Sequence, residues 1–328
     1  MRAPESRDGL PTPDTRLQSR SRDIAGPVLA RCMVAAAALL LSLGGDAGAT
    51  DRMQEPPPTV VDRLPVEPPA PEGSAPALSA AAGVIFTSEY VDQGLLVEDQ
   101  GAMARPFAQL GVQVHEDVML VAGGLASFHD EHTDAATTDG PGERAERRAF
   151  YQVDWQAGLS LSVWRFGVTP LHVDSRSPSH AFARRTTLDV LTSFDDHDLF
   201  GGRFALYPSA DFSIETRGKS GTGESKGFYV QPGIKPSYLC YRRQPLSLEL
   251  SLPISTGLGF DDFYAGDERH GFSSVGVTAL AAIDGGYLPA LEWQIAPGVA
   301  WVHLNRDAQS SDVRAERVVF GMTLAASF

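Results

Sequence analysis

The sequence predicts an all-β protein, a transmembrane antiparallel up-and-down β-barrel of about 12 strands, and three observations predict it. Apolar and polar residues alternate with a period of two from residue 84 to the end, as in strands whose two faces meet different surroundings. Long and short connections alternate between these segments. No apolar run reaches the roughly 18 residues of a membrane-spanning helix, so a helical membrane protein is not expected.

The composition of the chain excludes several classes of function and of site. The 328 residues include 27 Lys and Arg against 41 Asp and Glu, a formal net charge of -14. We expect no nucleic-acid partner, because such binding needs a basic surface. The two cysteines cannot build a disulfide framework or a four-thiolate zinc site. We expect no cofactor.

The chain divides into three predicted parts. Residues 1–49 are predicted to be a signal peptide, because arginines precede an apolar stretch from Cys32 to Leu43 and small residues end at Ala49. A buried helix of a soluble domain is the alternative. Residues 50–79 contain eight prolines and favour an extended periplasmic linker, with partner or peptidoglycan binding as the alternative. Residues 80–328 are the predicted outer-membrane β-barrel.

Strand positions follow from the alternation. It is clearest in residues 246–254, where Leu246, Leu248 and Leu250 share one face and Ser247 and Glu249 share the other. The same test predicts twelve strands, most of them as long as the roughly 9–11 residues that cross a bilayer with a tilt. Their approximate spans are 84–90, 105–114, 118–128, 149–161, 163–173, 185–194, 199–216, 227–241, 246–258, 271–283, 288–304 and 316–328.

The predicted connections favour an outer-membrane barrel over a soluble sandwich. Six of them are long, at 91–104, 129–148, 174–184, 217–226, 259–270 and 305–315. The intervening ones are short, at 115–117, near Ser162, and at 195–198, 242–245 and 284–287. Outer-membrane barrels have short periplasmic turns and longer outside loops. An even number of strands also places both ends of the barrel in the periplasm, beside the linker.

The aromatic residues favour a membrane barrel, whereas the prolines inside the predicted strands count against a closed one. Aromatics near strand ends predict an outer girdle of Phe128, Tyr151, Phe228, Phe272 and Trp301, and an inner girdle of Trp164, Phe194, Tyr238, Tyr287 and Phe328. Seven prolines fall inside predicted strands, where each removes a ladder donor. We expect bulges or strand ends at Pro106, Pro170, Pro208, Pro232, Pro236, Pro253 and Pro297.

A resemblance to a known group rests on the first predicted hairpin. The segment from Thr87 to Gly94, followed by Arg105-Pro106-Phe107, resembles the first hairpin of bacterial outer-membrane porins of the TorF-like family. Asp92 and Gln93 stand where an aromatic residue and an arginine are usual in that group. The resemblance implies a passive or weakly selective channel and no catalytic residue. Terminal Phe328, which ends an alternating strand, is similar to the assembly signal that the barrel-assembly machinery reads.

Alternation also predicts which charged side chains face the barrel interior. The pore-lining candidates are Glu89, Arg105, Asp154, Arg165, Arg185, Asp189, Arg203, Asp211, Lys235, Glu249 and Glu292. Such charges can tune the ion preference of a pore. The alternative is a network of paired charges that only stabilises the barrel interior.

Other chemistry has weaker support in the sequence. His129, Asp130 and His132 begin a long connection and could hold a divalent ion, although acidic loop clusters are usually only solvated. The sequence lacks a serine, histidine and asparagine set suited to a barrel lipase, so we expect no enzyme and no catalytic residues.

These observations predict an integral protein of the outer membrane of a Gram-negative bacterium, a porin-like channel for small solutes or ions. The alternative is a closed barrel that acts as a structural scaffold or surface-binding protein. Outer-membrane lipids and lipopolysaccharide are expected partners, because the long loops carry acidic groups that divalent cations could bridge to that surface.

Overall fold

The computed structural model describes residues 78–98, 101–129, 150–178, 183–219, 221, 226–264, 268–284, 291–309 and 313–327. The predicted signal peptide, the linker up to residue 77, Asp130, His132 and Phe328 lie outside these residues. Residues 78 and 79 already belong to the first strand.

The described residues form strands almost throughout. None of their helices is long and apolar enough to cross a membrane. The two short 3-10 helices are His197–Phe200 and Arg306–Ala308. The strands are β1 Leu78–Thr87, β2 Tyr90–Asp92, β3 Leu95–Glu98, β4 Met103–His115, β5 Val118–His129, β6 Phe150–Val163, β7 Phe166–Arg176, β8 Arg185–Phe194, β9 Phe204–Ala205, β10 Ser209–Arg217, β11 Phe228–Ile234, β12 Ser237–Arg243, β13 Leu246–Ser251, β14 Ile254–Phe260, β15 His270–Asp284, β16 Glu292–Leu304 and β17 Glu316–Ser327.

All of these strands except β2 and β3 close into one antiparallel barrel. Its wall has twelve segments that run from one end of the barrel to the other, here called staves, which confirms the predicted fold. Three of the staves each consist of two short strands in succession, with a break between them. These pairs are β9 with β10, β11 with β12, and β13 with β14. The first stave, β1, pairs with the last, β17, through a register that places Val84 opposite Leu324. Strand β15 pairs with both β13 and β14. The sheet therefore has no free edge.

Three of the seven prolines cause the interruptions. Pro208, Pro236 and Pro253 each lie between two short strands of one stave, because proline has no backbone donor to continue the ladder. Their carbonyls still accept bonds from the neighbouring stave. Phe194 N donates to Pro208 O at 3.0 Å, and Gly276 N donates to Pro253 O at 2.8 Å.

The other four prolines remain inside strands, each where one of its two ladders is interrupted. Between β4 and β5, for example, pairing passes from Ala104 and Phe128 directly to Phe107 and Leu125, and so skips Pro106. The same pattern holds at Pro170, Pro232 and Pro297. A closed barrel thus accommodates every proline that the sequence places in its walls.

The two faces of the barrel differ in polarity. Outward positions are apolar and exposed, as with Trp155, Leu250, Val299 and Phe320. Inward positions hold buried polar groups, including Gln109, Gln156, Ser213, Thr278 and Gln294. An apolar outer belt around a polar interior is the pattern of barrels that cross a membrane.

The connections define two ends of the barrel. The long-loop end is where β1, β5, β7, β10, β14 and β16 end, and the short-turn end is where β4, β6, β8, β12 and β15 end. The connection predicted at 195–198 is longer, because Asp196 precedes a 3-10 helix that ends at a left-handed Gly201. The corresponding stave begins at Phe204, not at residue 199.

Two predicted girdle aromatics point inward. A bulge in β6 places Phe150 opposite Phe128, and these two rings stack at 4.9 Å on the outward face. The same bulge turns Tyr151 to the inside, where it is buried. Phe272 is also fully buried, because it shares its face of β15 with the inward Ser274 and Thr278.

Candidate functional site in the barrel interior

A small hairpin lies in the barrel mouth at the long-loop end. After β1 the chain forms β2 and β3, which pair with each other and not with the barrel sheet. Gln93 and Gly94 form the turn, with φ of 49° and 83°, as two-residue hairpin turns require. Only 2% of Tyr90, 4% of Val91 and 5% of Asp92 is exposed. Such burial of a three-residue strand means that the barrel walls and neighbouring loops enclose the hairpin.

One side of the hairpin packs against an apolar half of the mouth. Val91, with Leu95 and Leu96, joins a cluster that combines inward wall residues with residues of the connections 261–269 and 305–315. The wall residues are Tyr229, Phe272, Ala300, Val302, Leu304 and Val319, and the loop residues are Phe263, Tyr264, Ala308 and Val313. Burial of this apolar area favours the docked hairpin.

The other side of the hairpin meets charged residues of β4 and β8. Arg185 Nη2 donates to Asp92 Oδ2 at 2.6 Å, and both side chains are largely shielded from solvent. The guanidinium carbon of Arg105 lies 4.6 Å from the centre of the Tyr90 ring, within range of a cation–π contact. A pair with so little water around it attracts more strongly than an exposed pair, and it requires that both partners remain in place.

Hydrogen bonds from two other loops hold the hairpin turn. Tyr264 Oη donates to Gln93 O at 2.6 Å, and Gln309 Nε2 donates to Gly94 O at 2.8 Å. Gln309 Oε1 also accepts from Leu96 N at 2.9 Å. Burial raises the pKa of Tyr264, and the nearby Asp92 carboxylate raises it further. The phenol therefore stays neutral and keeps its proton for Gln93.

Most of the predicted pore-lining residues lie on the inward face. Lys235 joins β11 to β12, with its Nζ 5.3 Å from the centre of the Tyr207 ring. Glu89 lies at the long-loop end, 3.5 Å from the Arg317 guanidinium. The remaining inward residues of that set are Arg105, Asp154, Arg185, Asp189, Asp211, Glu249 and Glu292.

Arg165 and Arg203 are placed differently from the sequence expectation. Arg165 lies in the turn between β6 and β7, 3.7 Å from Asp198 in the next short-turn connection. Arg203 is exposed just before β9. Both residues are outside the strands, where alternation no longer determines direction. We therefore assign neither of them to the wall of the interior.

Carboxylates predominate among the described inward groups. Gln152 Nε2 donates to both oxygens of Asp154, at 2.9 and 2.8 Å, which holds that carboxylate against the wall. The acids are Glu89, Asp92, Asp154, Asp189, Asp211, Glu215, Glu249 and Glu292, and the bases are Arg105, Arg185, Lys235 and Arg317. Eight acids therefore face four bases among these inward groups.

Of the three candidate metal ligands, only His129 lies within the described residues. His129 is buried at the end of β5, and its ring stacks on Tyr151 at 4.5 Å. Asp130 and His132 lie outside the described residues. Within the described residues, His115, Glu116 and Asp117 place possible ligand atoms within 4.8 Å of one another on an exposed turn. Solvated clusters of this kind are common, so we assign no metal to it.

The hairpin is the feature that sequence reasoning missed. Residues 91–104 were expected to be a plain loop, although they contain the apolar run Leu95-Leu96-Val97 after a Gln93-Gly94 turn. An apolar run beside a turn pair is the usual hairpin signal, so it could have been found. Its docking partners could not, because Gln309 lies more than two hundred residues away in the chain.

Comparison with known proteins yields likeness of fold only. The chain matches no protein-family model and no curated protein. An outer-membrane channel from Pseudomonas putida F1 superimposes with a TM-score of 0.47 at 12% identity, over 78% of this chain and 97% of that one. LpxR from Salmonella typhimurium gives 0.43 at 7% identity, over 76% and 99%. The NanC porin gives 0.39 at 9% identity, over 77% and 99%. No residue role or ligand transfers from these structures.

Proposed function

We propose that the chain is an outer-membrane channel for small solutes or ions and that it prefers cations. The observation that carries the proposal is the excess of carboxylates on the inward face of a closed barrel with an apolar exterior. Glu249 and Glu292 point inward and remain only half-buried, which indicates space for water beside them. A hydrated, negatively charged passage is what cation conduction requires.

The proposed placement follows the pattern of known outer-membrane barrels. The long-loop end faces outside and the short-turn end faces the periplasm. Because the barrel has an even number of staves, β1 begins and β17 ends on the periplasmic side. The predicted signal peptide supports export to that compartment.

In this proposal the hairpin β2–β3 controls the outer mouth. It bridges the apolar and charged halves of the wall, and it belongs to a separate two-stranded sheet that can leave without breaking the barrel ladder. The same burial also favours a second candidate, a permanently closed barrel that acts as a scaffold or surface-binding protein.

Planar-bilayer recording separates the two candidates. The purified barrel should give discrete conductance steps, and a salt gradient should give a reversal potential of cation-selective sign. Glu249→Gln should reduce that selectivity, whereas the matched variant Asp117→Asn, on the exposed turn after β4, should leave it unchanged. A barrel that gives no conductance even when the hairpin is destabilised would support the scaffold candidate. Equal selectivity in the wild type, Glu249→Gln and Asp117→Asn would refute the assignment of Glu249 to the interior.

Fractionation tests the placement independently of conductance. The protein should resist a carbonate wash, dissolve in detergent and show heat-modifiable mobility in gels. Release by the carbonate wash would contradict membrane insertion.

A further inference from the structure

The outward face of β7 carries charge near the long-loop end. Leu171, Val173 and Ser175 point inward and are buried, so Asp174 and Arg176 point outward between them. Directly across the ladder from Asp174 stands Trp155 of β6, with 60% of its surface exposed. A charged group on an apolar belt is costly in the middle of a bilayer and tolerated near its interfaces. These residues therefore lie at the height of the lipid headgroups.

Asp174 holds two guanidinium groups in a defined arrangement. Arg176 donates from Nε and Nη2 to Asp174 Oδ2 at 3.1 and 2.9 Å. Arg184 donates from Nε to Oδ1 at 2.7 Å and from Nη2 to Oδ2 at 3.0 Å. Each arginine thus contacts Asp174 through the Nε and Nη2 edge of its guanidinium group. Because that group is planar, its Nη1 lies on the side away from Asp174.

The cluster keeps a net positive charge on a lipid-facing surface. The Arg176 and Arg184 side chains are 56% and 43% exposed, against 13% for Asp174. Ion pairs this exposed contribute little to folding stability. What they provide is a pair of oriented donors, which suits the tetrahedral oxygens of a phosphate.

We propose that Arg176 and Arg184 bind a phosphate group of an outer-leaflet glycolipid, with Trp155 against the adjoining sugar or acyl chains. Asp174 positions the two arginines and does not itself contact the phosphate. The inference rests on the proposed placement of the long-loop end in the outer leaflet, and it is independent of whether the barrel conducts. Trp155 favours a lipid source over free phosphate, because a soluble anion gains nothing from an exposed indole.

Binding to purified protein in detergent micelles tests the proposal. The probe is a diphosphorylated glucosamine-disaccharide lipid, and the comparison probes are its dephosphorylated form and inorganic phosphate. The variant R176Q/R184Q should bind the phosphorylated lipid about tenfold more weakly, since it loses charge-assisted hydrogen bonds. The affinity of R176K/R184K for this lipid should lie between that of the wild type and that of R176Q/R184Q, because lysine keeps the charge and loses the planar donor edge.

A matched control removes two arginines at the opposite rim. Arg242 and Arg243 are exposed at the short-turn end of β12, where the proposed orientation places the periplasmic leaflet. R242Q/R243Q should bind the lipid as the wild type does, and heat-modifiable mobility should show that all variants are folded. Equal binding by R176Q/R184Q and wild type, or competition by inorganic phosphate at the same concentration as the lipid, would overturn the assignment. Loss of conductance with lipid binding intact would overturn only the channel proposal.

Discussion

The substitution Gly94→Ala should release the hairpin from the barrel mouth. Gly94 has φ of +83°, a conformation that costs a residue with a Cβ about 1–2 kcal/mol. A Cβ built there would lie 2.8 Å from Tyr264 Oη and 3.0 Å from Phe272 Cδ1. The phenol must then move and lose its bond to Gln93 O, a loss of about 1 kcal/mol. Together these terms weaken docking by about 2–3 kcal/mol, or roughly 30- to 150-fold in the docked-to-undocked ratio.

Cysteine labelling measures that ratio directly. Leu96→Cys places a thiol on the hairpin, and Cys240→Ser removes the exposed native thiol. The labelling rate of position 96 then follows the undocked fraction. Gly94→Ala should raise the rate by at least tenfold and, if the barrel conducts, should raise its open probability in parallel.

Two further variants separate the effect of backbone strain from the effect of the lost Tyr264 hydrogen bond. Gly201→Ala has a similar φ of +80° with nothing within 4 Å of the new Cβ, so it adds backbone strain alone, far from the mouth, and should leave labelling unchanged. In a Tyr264→Phe background the hydroxyl clash is absent. There Gly94→Ala should cost the backbone strain and the close contact with Phe272 but no hydrogen bond to Gln93, so the two substitutions should be non-additive. Unchanged labelling in Gly94→Ala, or strict additivity with Tyr264→Phe, would refute this account of docking.

The remaining predictions concern the wall, the loops and the ends. Leu250→Arg, on the outward face of β13, should lower the yield of folded barrel more than Ser251→Arg on its inward face, because an arginine that faces lipid costs up to about 2–4 kcal/mol toward the bilayer midplane; equal yields of heat-modifiable protein would reverse the face assignment. The labelling rate at position 96, divided by the rate of an unstructured cysteine peptide at the same pH to remove the change in thiolate fraction, should be constant below about pH 10 and rise above it, since the pKa of Tyr264 is raised by burial and docking requires the neutral phenol; an unchanged ratio at high pH would exclude that role. Deleting Phe328 should reduce barrel insertion, whereas deleting residues 50–75 should not; a fractionated blot compares them.

The fold was predictable because the alternation is a property of each strand by itself. Errors arose where that pattern fades. The first strand begins at Leu78, earlier than expected, because small residues such as Ala80 and Ala82 give weak contrast between the faces. A stave was expected to start at residue 199, where the chain instead forms the 3-10 helix that ends before Gly201. Weak contrast between the faces thus hid the first boundary, and local turn geometry decided the second.

The site was predictable only where alternation continued without interruption. Inward charges such as Asp189 and Glu249 follow directly from it. One extra residue reverses every direction beyond it, which is why the bulge in β6 moved Tyr151 from the expected outer girdle to the interior. Arg165 and Arg203 lie in connections, where direction depends on the turn and not on the period.

Hairpin docking depends on barrel closure, and this dependence has a consequence for assembly. The hairpin follows β1, and the loop that holds its turn through Gln309 precedes β17. These two segments become neighbours only when β1 pairs with β17. An open sheet would leave the turn carbonyl of Gly94 without that donor. The labelling rate at position 96 should therefore fall at the step in which the last strand joins the first, later than most of the ladder forms. Protection of the hairpin before closure would mean that its apolar side alone is sufficient for docking.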